Sequence, residues 1–275
     1  MNRWSYVWDH PRKPHLHPVA TPSGLVLTQV EPSDHPWQRG VWFVVKFVDG
    51  DNFWEEGDPK GWGTQRHATP PHIAGGVVEG ELDWIRPDGV TVAVREHRRL
   101  RHVELAEDAY AIDWESTLRA PADVVLDRTP YNGLWGGYSG LAFRGRSDWG
   151  DTRLLLDDGE ARDRVAPQRS RWCDLSGPAA GSAAAGPDGE PAGGLCVLDH
   201  PDNPEHPVPF YAACRAGPGY GEGWANTLYP AFLWDGLRRL PAGEPLRFRY
   251  RLAVHDGLWD ADRCAAAWEA FAISR

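Results

Sequence analysis

Short apolar runs separated by turn signals make up most of this chain, and helical periodicity is scarce. Gly24 to Val30 and Val41 to Val48 read as strands. Val77 to Ile85 and Val90 to Leu100 flank Arg86-Pro87-Asp88-Gly89, a strong turn signal, and are expected to form a hairpin. Tyr110 to Leu118 and Leu246 to Val254 alternate apolar and polar positions, the period of a half-buried strand. Leu195 to Leu198 reads as a short buried strand. Asp260 to Ala272 combines Asp near its start with good helix formers, so a C-terminal helix is predicted. Many strands and little helix point to an all-β domain, a sandwich or barrel, spanning residues 1–275. Ser176 to Gly194, rich in Gly, Ala and Pro, is predicted to be a mobile loop.

Composition narrows the partners. The chain has 275 residues and a formal charge of −10 without a basic block, which argues against nucleic acid. No apolar stretch reaches spanning length and no signal-peptide pattern opens the chain, so a cytoplasmic protein with no membrane partner is expected. Cys173, Cys196, Cys214 and Cys264 form no CxxC pair and read as reduced structural thiols. The 15 tryptophans supply flat amphipathic surfaces, either as core or as stacking platforms for a ligand.

Period two assigns candidate chemistry to faces. Glu96 continues the line Val90, Val92, Val94 and so points inward, as either a general acid or base or a structural ion pair with Arg98 or Arg144. Arg247, Arg249, Arg251 and His255 share one strand face, read as solvated, with His255 at a strand end suited to a site. Asp34, His35, Gln38 and Arg39 gather just before a buried strand, where loops commonly carry function. His15 and His17 form an H-x-H pair. With His35, His67 or His72 it makes a divalent-metal site the less favoured reading, and a metal-free His–Glu pair is preferred, so no cofactor is predicted. Asp199 to Pro204, containing His200 and Asn203, is either a site loop or an ordinary Asx turn. Tyr131 to Arg144 mixes glycines and aromatics but is not a phosphate loop.

Several blocks together resemble the bacterial PmoA-like family of proteins of uncharacterised activity, often mislabelled methane oxygenase. They are His15-Leu16-His17-Pro18 with Thr21-Pro22-Ser23-Gly24, Asp34-His35-Pro36 with Arg39-Gly40-Val41-Trp42-Phe43, and Gly136-Gly137-Tyr138-Ser139-Gly140-Leu141 with Arg144. Trp172 to Gly177, Asp199-His200-Pro201 with Asn203-Pro204, and Tyr250-Arg251-Leu252 with His255-Asp256-Gly257 complete the likeness. The resemblance implies a large β-sandwich of the galactose-mutarotase-like (supersandwich) kind and a link to carbohydrate catabolism. Trp37 and Gln38 stand where that family commonly has two histidines.

These readings converge on an enzyme that processes a sugar or oxidised glycoside by epimerisation or C–O cleavage. Glu96 with His17 or His35 would be the acid and base, and Arg39 and Arg144 would hold substrate oxygens. Trp42, Trp54 and Tyr138 would stack on the ring, and His72, His200, Asn203 and His255 are further binding candidates. A glycosidase variant pairs Glu96 with Asp34 or Asp199. A non-catalytic carbohydrate-binding protein and a natural-product tailoring enzyme are the alternatives.

Overall fold

The computed structural model describes residues 3–178, 192–215 and 226–274. Among them two large antiparallel sheets face one another. The first is seven-stranded, in the order Trp4–Val7, His15–Val19, Val41–Val45, Ser139–Arg144, Thr227–Pro230, Pro209–Ala213, Arg164–Arg169. The second is ten-stranded and centred on the long strands Val92–Ala106, Ala109–Arg119 and Leu246–Asp256. A four-stranded sheet containing Phe47–Val48 and Val124–Asp127 closes one end. The chain is therefore an all-β sandwich with one short helix, Ala261–Ala272. No described helix is long and apolar enough to cross a membrane.

Alternation places the core. Phe43 meets Phe248 at 5.1 Å and Trp84 at 6.4 Å between ring centroids, so the Val41, Phe43, Val45 side of its strand faces the second sheet. One buried cluster runs from Leu16 to Val254 and draws on all three sheets. The helix begins at Asp260, whose side chain accepts from the Arg263 amide as an N-cap. It covers a smaller cluster with Trp172, Leu198 and Phe271 on the outer face of the ten-stranded sheet.

Several expectations change. Gly24 to Val30 makes only isolated bridges: Val26 to Ala20, Thr28 to Gly145 and Val30 to Arg39. Val41 to Val48 breaks at Lys46 into two strands that belong to different sheets. The ends of the predicted loop are strand instead: Ser176 pairs with Gly194 and Pro178 with Ala192. The rest of that loop lies outside the described residues. The arginine stripe is solvated only at Arg247. Arg251 is buried by its two-point pair with Asp113, at 2.6 and 3.0 Å, and lies over the Phe271 ring of the helix. All four cysteines are free and buried.

Candidate functional site

The site is the face of the seven-stranded sheet turned away from the ten-stranded sheet, where Trp42, Trp54, Tyr138 and Tyr229 extend the buried cluster. Residues paired across antiparallel strands share a face. Leu16 pairs with Val41, so His15 and His17 fall on the same side as Trp42 and Val44. Trp42 pairs with Ala142, Arg144 with Thr227, and Tyr229 with Tyr211, which extends that face across five strands.

At its centre Arg144, fully buried, holds Asp34 by two hydrogen bonds of 3.1 and 3.0 Å and donates to Gln38 Oε1 at 2.9 Å. Gln38 Nε2 donates in turn to the Tyr229 hydroxyl at 3.2 Å. Asp34 accepts from His35 Nδ1 at 2.7 Å. That bond fixes the tautomer and makes Nε2 the basic nitrogen of the neutral ring. Burial pulls the His35 pKa below the ordinary imidazole value and outweighs the upward effect of Asp34, while Arg144 lowers it and Glu55 raises it. The local turn makes this arrangement: the His35 amide bonds Pro32 O and the Gln38 amide bonds His35 O. Trp37 packs its ring edgewise against His35 at 5.2 Å.

Beside this group is a row of rings. Trp42 lies at its base, 5.5 Å from Trp54. Trp54 stacks on Tyr138 at 5.2 Å, and Tyr138 on Trp135 at 6.3 Å with ring planes 6° apart. Exposure rises along the row, from none at Trp42 and 2% at Trp54 to 8% at Tyr138 and 38% at Trp135. Lys46 Nζ lies 5.7 Å from the Tyr138 ring centroid and 5.8 Å from that of Trp135, and it pairs with Glu55 at 2.7 Å. A cation over aromatic faces gains from the ring quadrupole.

A second polar group props the row from below. Lys13 Nζ donates to Trp54 O at 2.7 Å, and burial pulls its pKa down to about 7. Arg39 grips Glu56 at 2.6 and 2.7 Å and donates to Trp37 O at 2.9 Å. His15, buried, points its Nδ1 at Lys13 O, 3.1 Å away, and burial lowers its pKa to about 4.

The structure therefore redistributes the expected roles. His35, Trp54, Tyr138 and Arg144 come together on one face. Arg39 and Arg144 spend their guanidinium groups on Glu56 and Asp34, so they position the loops instead of holding substrate. Trp42 is covered by Trp54 and supports the platform without forming its surface. His17 shares the face but its Nδ1 lies 2.9 Å from Thr28 Oγ1, and burial lowers its pKa.

Glu96 belongs elsewhere. It is fully buried, and both oxygens are taken by Arg98 (2.7 and 2.9 Å), Ser116 (2.6 Å) and Trp84 (2.9 Å). This is the ion-pair alternative, inside the sandwich, with the seven-stranded sheet between it and His35. Arg98 continues to the Tyr6 hydroxyl at 3.2 Å, which lies 2.8 Å from His67 Nε2. Burial pushes Tyr6 up to about 12 and His67 down to about 4.

His72, His200, Asn203 and His255 all lie off the site face. His72 is exposed on an edge strand of the second sheet. Asn203 both donates to and accepts from the Arg249 backbone, at 2.7 and 2.6 Å, and bonds Asp199 at 2.8 Å, which is the turn alternative. His200 is 2.8 Å from Arg249 Nη1, against the helix residue Phe271. His255 is buried against Asp174 beneath the helix.

Lys46, Glu55 and Trp135 escaped the sequence reading, although Lys46 continues the Trp42, Val44 alternation and Glu55 follows Trp54 directly. An open cavity of about 820 Å³ lies away from this face, between the Trp4–Val7 strand and the turn before Val77. Its polar groups are engaged with one another, His102 with Trp4 at 3.0 Å and Glu104 with Arg3 at 3.0 Å, so the chemistry favours the sheet face.

A buried, oriented acid–base cluster beside stacked rings is the candidate site of this all-β sandwich. The chain belongs to the family of unknown function DUF6807, whose profile matches residues 1–269. A comparison with curated proteins gives no match.

Proposed function

We propose that the protein is an enzyme acting on a sugar or oxidised glycoside, with His35 as the base. The observation that carries this reading is the imidazole of His35, held by Asp34, which Arg144 fixes in turn, with its pKa lowered by burial and with Glu55 of the Lys46–Glu55 pair acting on its charge. The exposed Trp135 face suits the C–H face of a pyranose ring. His35 Nε2 takes a proton from the carbon next to a carbonyl, and the electron pair moves onto the carbonyl oxygen. Lys46, against the Tyr138 and Trp135 rings, would stabilise that oxygen by turning from Glu55 to the substrate. Return of a proton to the opposite side gives epimerisation. Loss of a β-oxygen substituent, protonated as it leaves by the His35 imidazolium, gives C–O cleavage and returns the neutral ring. The resemblance to the PmoA-like family points the same way, towards sugar catabolism. Four buried free thiols suit a reducing, cytoplasmic setting.

The test is calorimetric binding of 3-keto-glycosides and their parent glycosides to the protein and to two variants. Trp135→Ala is expected to weaken binding by ~10-fold, the equivalent of ~1–1.5 kcal/mol for a lost stacking face. His35→Asn is expected to bind as the parent does while turnover falls by ~100-fold or more. Binding without turnover in the parent protein would support the non-catalytic carbohydrate-binding alternative. Binding unchanged in Trp135→Ala contradicts the site.

A further inference from the structure

A separate polar cluster lies buried under the C-terminal helix, on the outer face of the ten-stranded sheet. Asp174 pairs with Cys196 across neighbouring strands, and Cys196 with Ala253, two residues from His255. The helix brings Cys264 down onto the same spot. One carboxylate oxygen of Asp174 and the sulfurs of Cys196 and Cys264 lie within 4.8 Å of one another, all fully buried. His255 Nε2 lies 2.9 Å from Asp174 Oδ1, beside this three-residue set and outside the 4.8 Å that joins its members.

The surroundings orient these groups as ligands. His255 Nδ1 lies 3.2 Å from Gly257 O and donates there, which turns the Nε2 lone pair towards the cluster. Nε2 and a carboxylate oxygen then meet at hydrogen-bond distance, a contact completed either by a proton on Nε2 or by a metal ion between the two. Ser176 Oγ donates to the other carboxylate oxygen at 2.6 Å and fixes its direction. Trp259 stacks on the imidazole at 4.4 Å. Gly194 makes the room: a Cβ there would sit 2.6 Å from His255 Nε2 and Cε1.

We propose that Asp174, Cys196 and Cys264 form the core of a buried zinc site that fastens the C-terminal helix to the sheet, with His255 drawn in from its contact on Asp174 as the fourth donor. Two thiolates, one imidazole and one carboxylate are a donor set that suits tetrahedral Zn²⁺ and its analogue Co²⁺. Binding displaces both thiol protons to solvent, so the dication meets three negative charges and one neutral nitrogen. No second-sheet residue of this set touches His35 or the aromatic row, so the role is structural.

The full chain is produced in zinc-supplemented and, separately, cobalt-supplemented medium without chelator. Elemental analysis is expected to give about one zinc per chain. The cobalt protein is expected to show the intense near-ultraviolet band of thiolate-to-metal charge transfer. Cys264→Ala is expected to lose both by ~10-fold or more, whereas Cys214→Ala, at a buried thiol outside the cluster, keeps both. The unmodified protein decides if a variant fails to fold: chains without stoichiometric zinc and without the cobalt band overturn the proposal and leave an imidazolium–carboxylate pair. A band that persists undiminished in folded Cys264→Ala overturns it as well.

Discussion

Asp34 stands between two partners that use its charge differently. Arg144 fixes the carboxylate, and His35 donates to it. Asp34→Asn removes the acceptor that selects the tautomer, so kcat is expected to fall by ~100-fold or more with little change in substrate binding. In the proposed mechanism His35 works as the neutral ring, and burial, which lowers its pKa, favours that form. The acid limb of kcat/KM is therefore expected below pH ~6.5. A limb above that value contradicts the base assignment. Glu96 tests the opposite expectation. Glu96→Gln leaves the Arg98 charge without its buried partner and is expected to cost ~3–5 kcal/mol in urea unfolding. Turnover per folded molecule is expected to stay unchanged. A turnover loss at full stability would return Glu96 to the mechanism. Glu96 was legible as inward-facing, and His35 as part of a polar cluster ahead of a buried strand. Alternation gives Glu96 a side but not what it meets there, and His35 lies in a turn, where alternation says nothing.

Strand Val41–Val45 positions the site because its two faces do different work. Phe43 packs into the core, while Trp42 and Val44 carry the platform. The chain enters this strand through Gly40, with φ at +52° and its backbone pressed on the preceding strand. A Cβ there would stand 2.2 Å from the Leu16 carbonyl oxygen. Gly40→Ala is expected to cost more than the ~1–3 kcal/mol of a left-handed side chain alone, and to displace Arg39 and the Asp34–His35 turn with it. Thermal unfolding together with loss of keto-glycoside binding checks this. The strand itself, the 77–85 and 92–106 hairpin and the C-terminal helix were readable from alternation, turn chemistry and capping. The solvated reading of Arg249 and Arg251 failed because it is the amphipathic helix, folding back over that strand face, that covers them. A single strand's pattern holds no information about a distant element.

Across the whole molecule, burial holds several histidines neutral. His15 and His67 sit near pKa 4 in the fold, below the ordinary value of 6.5. A lowered histidine pKa means the unfolded chain binds more protons between those values, so stability is full above pH ~6.5 and falls as pH drops towards 4. For the buried His15 alone the loss is ~3 kcal/mol. Urea unfolding from pH 7 to pH 4 is expected to show this slope, reduced in His15→Gln. The sandwich also sets where the chemistry is found. One sheet gives a face to the acid–base cluster and ring row, while the other is closed by the helix. The central claim is that His35 draws a proton from carbon on that face. The most direct measurement is deuterium exchange into a 3-keto-glycoside at the carbon beside its carbonyl, followed by NMR in D₂O with the protein and with His35→Asn. Exchange well above the buffer rate, abolished in the variant while binding persists, is the expected result. Exchange at the buffer rate with bound substrate, or equal exchange in both proteins, contradicts the account.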